Sequence, residues 1–318
     1  VKKFIAPLLL ASVLFAAGCA TVMGPYYLEQ EQYEEGIRAM GERLKEHPDD
    51  AASAYYVGRC YLALNKPKDG LPYLQKAVQL APDNADYVFW TGVAYWALMD
   101  FDRERAAYEK AISLDPNHIS AHLYLGHGYA DQGQWAQALK QYDVVLSLDP
   151  YNPEALYNRA RALGGLDRTS DEIAAWKRFL EYYPDGSMAM TATEQLNLHG
   201  DFAYRNFIIG NRNVTLRSVT FKPGTSVLDA DGRASLEVLV AMMQVNKGLV
   251  VNIVAYVEGN APLAKVRAAA VRDYMLNGNP DVDRRRLPLS WFGTAEDVQV
   301  GEKTFALGRS VSFITEVR

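Results

Sequence analysis

Two cysteines in 318 residues, Cys19 and Cys60, cannot build a disulfide framework, so the fold must be held by its apolar core. Runs of basic charge are short: Lys/Arg stretches do not exceed Arg284-Arg285-Arg286, and the formal net charge is −5. Without a basic stripe there is nothing to neutralise a phosphate backbone, and no nucleic acid partner is expected. The apolar run 4–17 spans fourteen residues, too short to cross ~30 Å of hydrocarbon as a helix. Catalytic signatures are missing too: there is no nucleophile elbow, zinc motif, P-loop or dinucleotide fingerprint. His118 and His122 stand i, i+4, but Ile119-Ser120-Ala121 between them lacks the glutamate of a zinc-protease helix. Neither an enzyme, a cofactor nor a metal site is expected.

What is present is a period. Pro48, Pro82, Pro116, Pro150 and Pro184 recur every 34 residues. Gly58, Gly92 and Gly126 share one phase, Tyr61, Tyr95 and Tyr129 another, and Ala77 and Ala111 a third. In 85–118, Val88, Thr91, Gly92 and Tyr95 mark one helix face and Tyr108, Ala111 and Ile112 a second. A supersecondary unit repeated at fixed period cannot bury its apolar face except against its neighbours. The period and its small, aromatic and proline phases resemble the tetratricopeptide family. That resemblance implies helical pairs over 51–84, 85–118, 119–152 and 153–186. A half repeat at 29–46 would cap the array, its first helix replaced by a tether over 19–28, and a helix at 187–198 would close the other end. Gly164-Gly165 should stop the first helix of the fourth repeat early, because two glycines cost about 2 kcal/mol in a helix interior. Cys60 falls on a buried phase and is read as core.

In the tetratricopeptide family the face lined by first helices binds partners. By that phase the groove residues are Tyr55, Arg59, Leu62, Phe89, Val93, Trp96, Leu123, His127, Tyr157 and Arg161. Tyr, Trp and Arg are the usual energetic anchors of interfaces, so the groove is expected to take an apolar or amphipathic segment of another protein, or this protein's own C-terminal domain.

Lys2 and Lys3, the apolar run, and Ala16-Ala17-Gly18-Cys19 describe a signal peptide over 1–18 that ends in a motif similar to the bacterial lipobox. The resemblance implies acylation at Cys19 and a stable bilayer anchor. Ala20, rather than aspartate, implies the periplasmic side of the outer membrane.

After Gly200 the period changes. Residues 202–209, 213–221, 249–257, 287–292 and 311–317 read as strands, and 229–246 and 260–276 as helices, with Asn260 a cap and Pro262 in the first turn. The length suits two domains, 29–200 and 201–318. The fold class is α + α/β, a helical solenoid followed by a β-α-β-α-β-β domain. Several motifs in the second domain resemble the OmpA-like family: Phe221-Lys222-Pro223-Gly224 leading to Leu228, the strand ending Tyr256-Val257-Glu258, the helix Leu263–Val271 carrying Arg267 and Ala268, Arg286-Leu287 with Gly293, and Gly308-Arg309-Ser310-Val311. That resemblance implies peptidoglycan binding, with Glu258, Arg267 and Arg309 gripping the diaminopimelate of the stem peptide. An acid and a guanidinium at fixed separation can pair with its ammonium and its carboxylate. Glu258 and Val257 stand where the family has Asp and Thr, and one arginine replaces Asn-Arg-Arg. The alternative is a pure protein-interaction module of an envelope complex, with the pocket lost.

Overall fold

The computed structural model describes residues 20–318, so the leader and Cys19 lie outside the described residues. A helical solenoid followed by a small strand-containing domain is what the structure shows. The chain divides into two compact units, one ending at Ala155 and one beginning at Leu156.

The first unit is a series of antiparallel helices: α1 (Ala20–Glu29), α2 (Tyr33–Glu46), α3 (Ala51–Ala63), α4 (Pro67–Leu80), α5 (Ala85–Ala97), α6 (Phe101–Leu114), α7 (Ile119–Asp131) and α8 (Trp135–Leu148). Capping follows the period. The side chains of Asp50, Asn84 and His118 accept the backbone N–H groups of Ser53, Tyr87 and Ala121 at 3.0, 3.1 and 3.1 Å. Asn152 does the same for Ala155 at 3.0 Å. The shared glycine phase sets the approach within each pair. A Cβ at Gly58, Gly92 or Gly126 would lie 2.5, 2.6 or 2.7 Å from Leu74, Tyr108 or Tyr142 of the following helix.

The expected tether is helical instead. Ala20, Met23, Gly24 and Tyr27 recur at i, i+3, i+4 and i+7 and pack with Met40 and Val57, so α1 completes the first repeat. A Cβ on Gly24 would come 2.1 Å from the Tyr56 ring. The second helix accordingly starts at Tyr33 rather than at 29.

Helix α9 (Pro153–Gly165) contains the division between units. At thirteen residues it is as long as α3, α5 and α7, and the glycine pair does not shorten it. The reason is contact: a Cβ at Gly164 would sit 2.9 Å from the Glu172 carboxyl group. Glu172 lies on α10 (Thr169–Tyr182), buried, and accepts hydrogen bonds from Trp176 Nε1 at 3.0 Å and His199 Nε2 at 3.0 Å.

Helix α11 (Ser187–Leu198) has the expected span but belongs with the sheet domain. Asn197 Nδ2 donates to the Asp201 and Tyr204 carbonyls, both at 2.8 Å, binding α11 to the chain that follows. The unit therefore begins well before the expected boundary at 200.

Strands β1 (Tyr204–Ile209) and β2 (Arg212–Arg217) form a hairpin, followed by α12 (Ala230–Val245), β3 (Leu249–Val257), α13 (Ala261–Leu276), β4 (Leu289–Phe292), β5 (Glu296–Val300), β6 (Lys303–Leu307) and β7 (Arg309–Val317). The main sheet has the order β4-β3-β7, β3 being parallel to β4 and antiparallel to β7. One face of β3, Leu249, Val251, Ile253, Ala255 and Val257, packs on Leu236, Leu239 and Met243 of α12 and Ala264, Ala268 and Val271 of α13. The β5–β6 hairpin was not legible in the sequence. It carries Glu296, whose buried carboxylate makes a bidentate pair with Arg205 of β1, both bonds 2.9 Å.

Candidate functional site

In the first unit the expected groove is only partly open. Tyr55, Phe89 and Leu123 are buried. Phe89 is enclosed by Tyr108, His118 and Tyr124, with ring centroids 5.5, 5.0 and 5.4 Å away. Tyr55 lies 4.6 Å from Tyr87, and burial pushes its phenol up to about 12 against the pull of Arg59. Tyr55 and Phe89 are packing residues, because rings on their own helix and on later helices cover them. Arg59 is half-buried: its guanidinium sits 3.4 Å above the Trp90 ring and Nη1 donates to Tyr55 Oη at 2.6 Å. Half-buried Leu62 and Val93 pack against the cores of their repeats. His127 is half-buried, with Nε2 4.0 Å from Glu154 Oε2 and its ring 5.8 Å from that of Tyr124. His122 bridges Gln141 Oε1 at 2.7 Å and the Pro116 carbonyl at 3.1 Å. Trp96 is the groove residue that faces solvent, and Met99 and Phe101, which the repeat phase did not single out, are exposed beside it in sequence.

The second unit holds Tyr157, half-buried against Trp176 and Phe179 at 5.1 and 5.5 Å, and exposed Arg161, which donates to Asn158 Oδ1 at 2.9 Å.

The other group of predicted residues meets at the end of β3. Arg267, in the second turn of α13, is 5 % exposed. Its Nε donates to the Thr225 carbonyl at 2.9 Å, and its guanidinium lies 4.7 Å from the centroid of Phe221. The loop that offers Thr225 is closed by the Phe221–Leu228 bridge. Glu258 is exposed, and its N–H donates to the Gly308 carbonyl at 2.8 Å. A Cβ at Gly308 would lie 3.0 Å from Glu258 Oε2, so glycine there leaves room for the acid. Arg309 opens β7 opposite Val257. Burial, and then the positive charge of Arg309, pull the Arg267 guanidinium below its usual value. Glu258 makes no ion pair with either arginine among the described residues. A buried guanidinium without a carboxylate is costly unless an anion completes it. Asn260 caps α13 as expected, accepting from the Leu263 N–H at 2.9 Å. The arrangement places two positive charges within electrostatic reach of each other near the end of β3, with an exposed carboxylate just beyond that strand.

Three family models match the chain, described as tetratricopeptide repeat over 21–85 and 61–119, TPR repeat over 126–167, and tetratricopeptide repeat over 154–186. The helical pairs are tetratricopeptide repeats. Solved TPR structures resemble the chain. The crystal structure of MamA is 21% identical, with a TM-score of 0.46, covering 57% of this chain and 93% of its own. YrrB, titled a TPR protein with an unusual peptide-binding site, is 19% identical at a TM-score of 0.47, covering 54% and 88%. TTC0263, a TPR protein of Thermus thermophilus, is 20% identical at 0.45, covering 56% and 97%. No curated protein matches the sequence.

Proposed function

We propose that this chain is a non-enzymatic scaffold of the bacterial cell envelope. Its TPR array binds a protein partner. Its C-terminal domain, which resembles the OmpA-like family, holds the diaminopimelate end of a peptidoglycan stem peptide. Acylated Cys19 anchors it at the periplasmic side of the outer membrane. No described helix is long and apolar enough to cross a membrane. The observation that carries the cell-wall assignment is the buried Arg267, which has Arg309 beside it and no carboxylate partner. The carboxylate of diaminopimelate would pair with the guanidiniums and its ammonium with Glu258.

Sedimentation with purified peptidoglycan tests this, using residues 20–318 and the variants Arg267→Gln, Arg309→Gln and Glu258→Gln. Arg309 and Glu258 are exposed, so their variants keep the fold. Each substitution should lower retention about tenfold. Wild-type-like retention of all three, or failure of the wild type to sediment, would reject the site.

A second reading is a pure protein-interaction module. The Thr225 hydrogen bond and the Phe221 ring favour it, because they give Arg267 a structural role. Chemical crosslinking in cells that yields only protein neighbours would support it.

A further inference from the structure

The turns within the TPR pairs repeat a backbone strain. Glu31, Asn65, Met99, Gly133 and Asp167 are spaced 34 apart and have φ of 55°, 55°, 60°, 69° and 56°. Left-handed backbone suits Gly, Asn and Asp, and a long side chain there costs stability. Four of the five are polar or glycine. Met99 is large, apolar and 78% exposed. Its N–H donates to the Trp96 carbonyl at 2.8 Å, so both belong to one tight turn. Trp96 is 53% exposed and Phe101, the first residue of α6, is 51% exposed. Folding gains nothing from a strained, solvent-facing methionine between two solvent-facing aromatics. Strain of this kind points to function, and clustered exposed apolar surface points to an interface.

The rim supplies the second property of the ligand. Asp100 is engaged by Arg103, whose guanidinium lies 4.9 Å from the Tyr95 ring centroid. Asp102 is exposed and has no partner among the described residues. An unpaired carboxylate beside an apolar tip selects a cation next to apolar anchors. Arg103 is occupied by Asp100, which leaves Asp102 as the carboxylate open to that cation.

We infer that the α5–α6 turn, through Trp96, Met99 and Phe101 with Asp102 at its edge, docks an apolar segment of a partner protein that carries lysine or arginine beside its apolar anchors. This rests on the protein-binding reading and gives it a place and a chemistry.

The probe is a fluorescein-labelled helical peptide of roughly 18 residues, with leucine at i, i+3, i+4 and i+7 and lysines flanking that stripe. A second peptide has glutamate in place of lysine. Binding to residues 20–318 is read by fluorescence polarisation. The lysine peptide should bind, and Trp96→Ala and Met99→Gly should each weaken it at least about tenfold. Asp102→Asn should weaken it several-fold, and the glutamate peptide should not bind. Met99→Gly should also raise Tm by about 2–4 °C, because relieving the turn favours the fold. Lost binding in a stabilised protein cannot come from misfolding. Equal affinity of the wild type and Met99→Gly would overturn the inference while leaving the array a protein binder. Absence of binding by the wild type would also overturn it, and protein neighbours crosslinked to the array would then keep the broader reading. So would wild-type binding to phosphatidylglycerol vesicles, or a wild-type dimer in sedimentation, that Met99→Gly abolishes.

Discussion

Glu104 is placed to destabilise the array at neutral pH. It stands on α6 at a phase where the next repeat has Ala138, and it is 5% exposed. Among the described residues its carboxylate accepts no hydrogen bond. Burial pushes the carboxyl up from 4.5 to about 7, Asp131 adds to the rise, and Arg105 opposes it. Folded Glu104 therefore keeps its proton to about pH 7, whereas the unfolded chain releases it near 4.5. The folded state binds more protons between those values, so stability is full below about pH 4.5 and declines as pH rises through 7. At about 1.4 kcal/mol per pH unit, the loss by pH 8 is about 3–4 kcal/mol. Glu104→Gln keeps the shape and removes the charge. Its amide carries a desolvation cost of about 1–3 kcal/mol, the same at every pH. The pH-dependent part of the difference isolates the carboxylate. Thermal unfolding followed by circular dichroism should show the variant gaining about 5–10 °C on the wild type between pH 4 and pH 8. A difference between variant and wild type that stays constant over that range would refute the argument.

The bidentate Arg205–Glu296 pair gives a second test. Arg205→Ala or Glu296→Ala strands a buried charge and should cost about 3–5 kcal/mol in urea unfolding, whereas the double variant Arg205→Met/Glu296→Leu should lose far less. Asn197→Ala should destabilise the second unit by about 1–3 kcal/mol, since it removes the buried bonds to the Asp201 and Tyr204 carbonyls, and a fragment beginning at Asp201 should show poorer hydrogen-exchange protection than one beginning at Leu156. Burial pushes the Cys60 thiol up to about 11, so a maleimide probe should react with it only after urea unfolding.

Legibility in the sequence followed distance along the chain. The repeats could be read because each mark acts within one repeat: Asn84 on Tyr87, the proline after α4, Gly92 facing Tyr108 sixteen positions on. Strand β3 read cleanly because a strand buried on both faces is apolar almost throughout. The first helix was visible in principle, since Ala20, Met23, Gly24 and Tyr27 have a helical period, but the lipobox motif made the segment read as a tether. Of the candidate residues, Arg267 lies on the helix read at 260–276, and Trp96 is exposed. The burial of Tyr55, Phe89 and Leu123 was not anticipated, and for Tyr55 and Phe89 it depends on which neighbouring rings close over them.

The order of residues was enough to specify paired helices at a 34-residue spacing and a sheet domain after them, because caps, turns and close-contact glycines act locally and repeat. It could not specify pairings made across the fold. Arg205 meets Glu296 at a separation of 91 residues, Arg267 meets Thr225 at 42, and His199 meets Glu172 at 27. No local pattern marks such partners, because their proximity follows from how strands and helices pack once each has formed. Whether Arg267 would be buried with an acid or without one was therefore a property of the folded chain, and it is the property on which the cell-wall proposal turns.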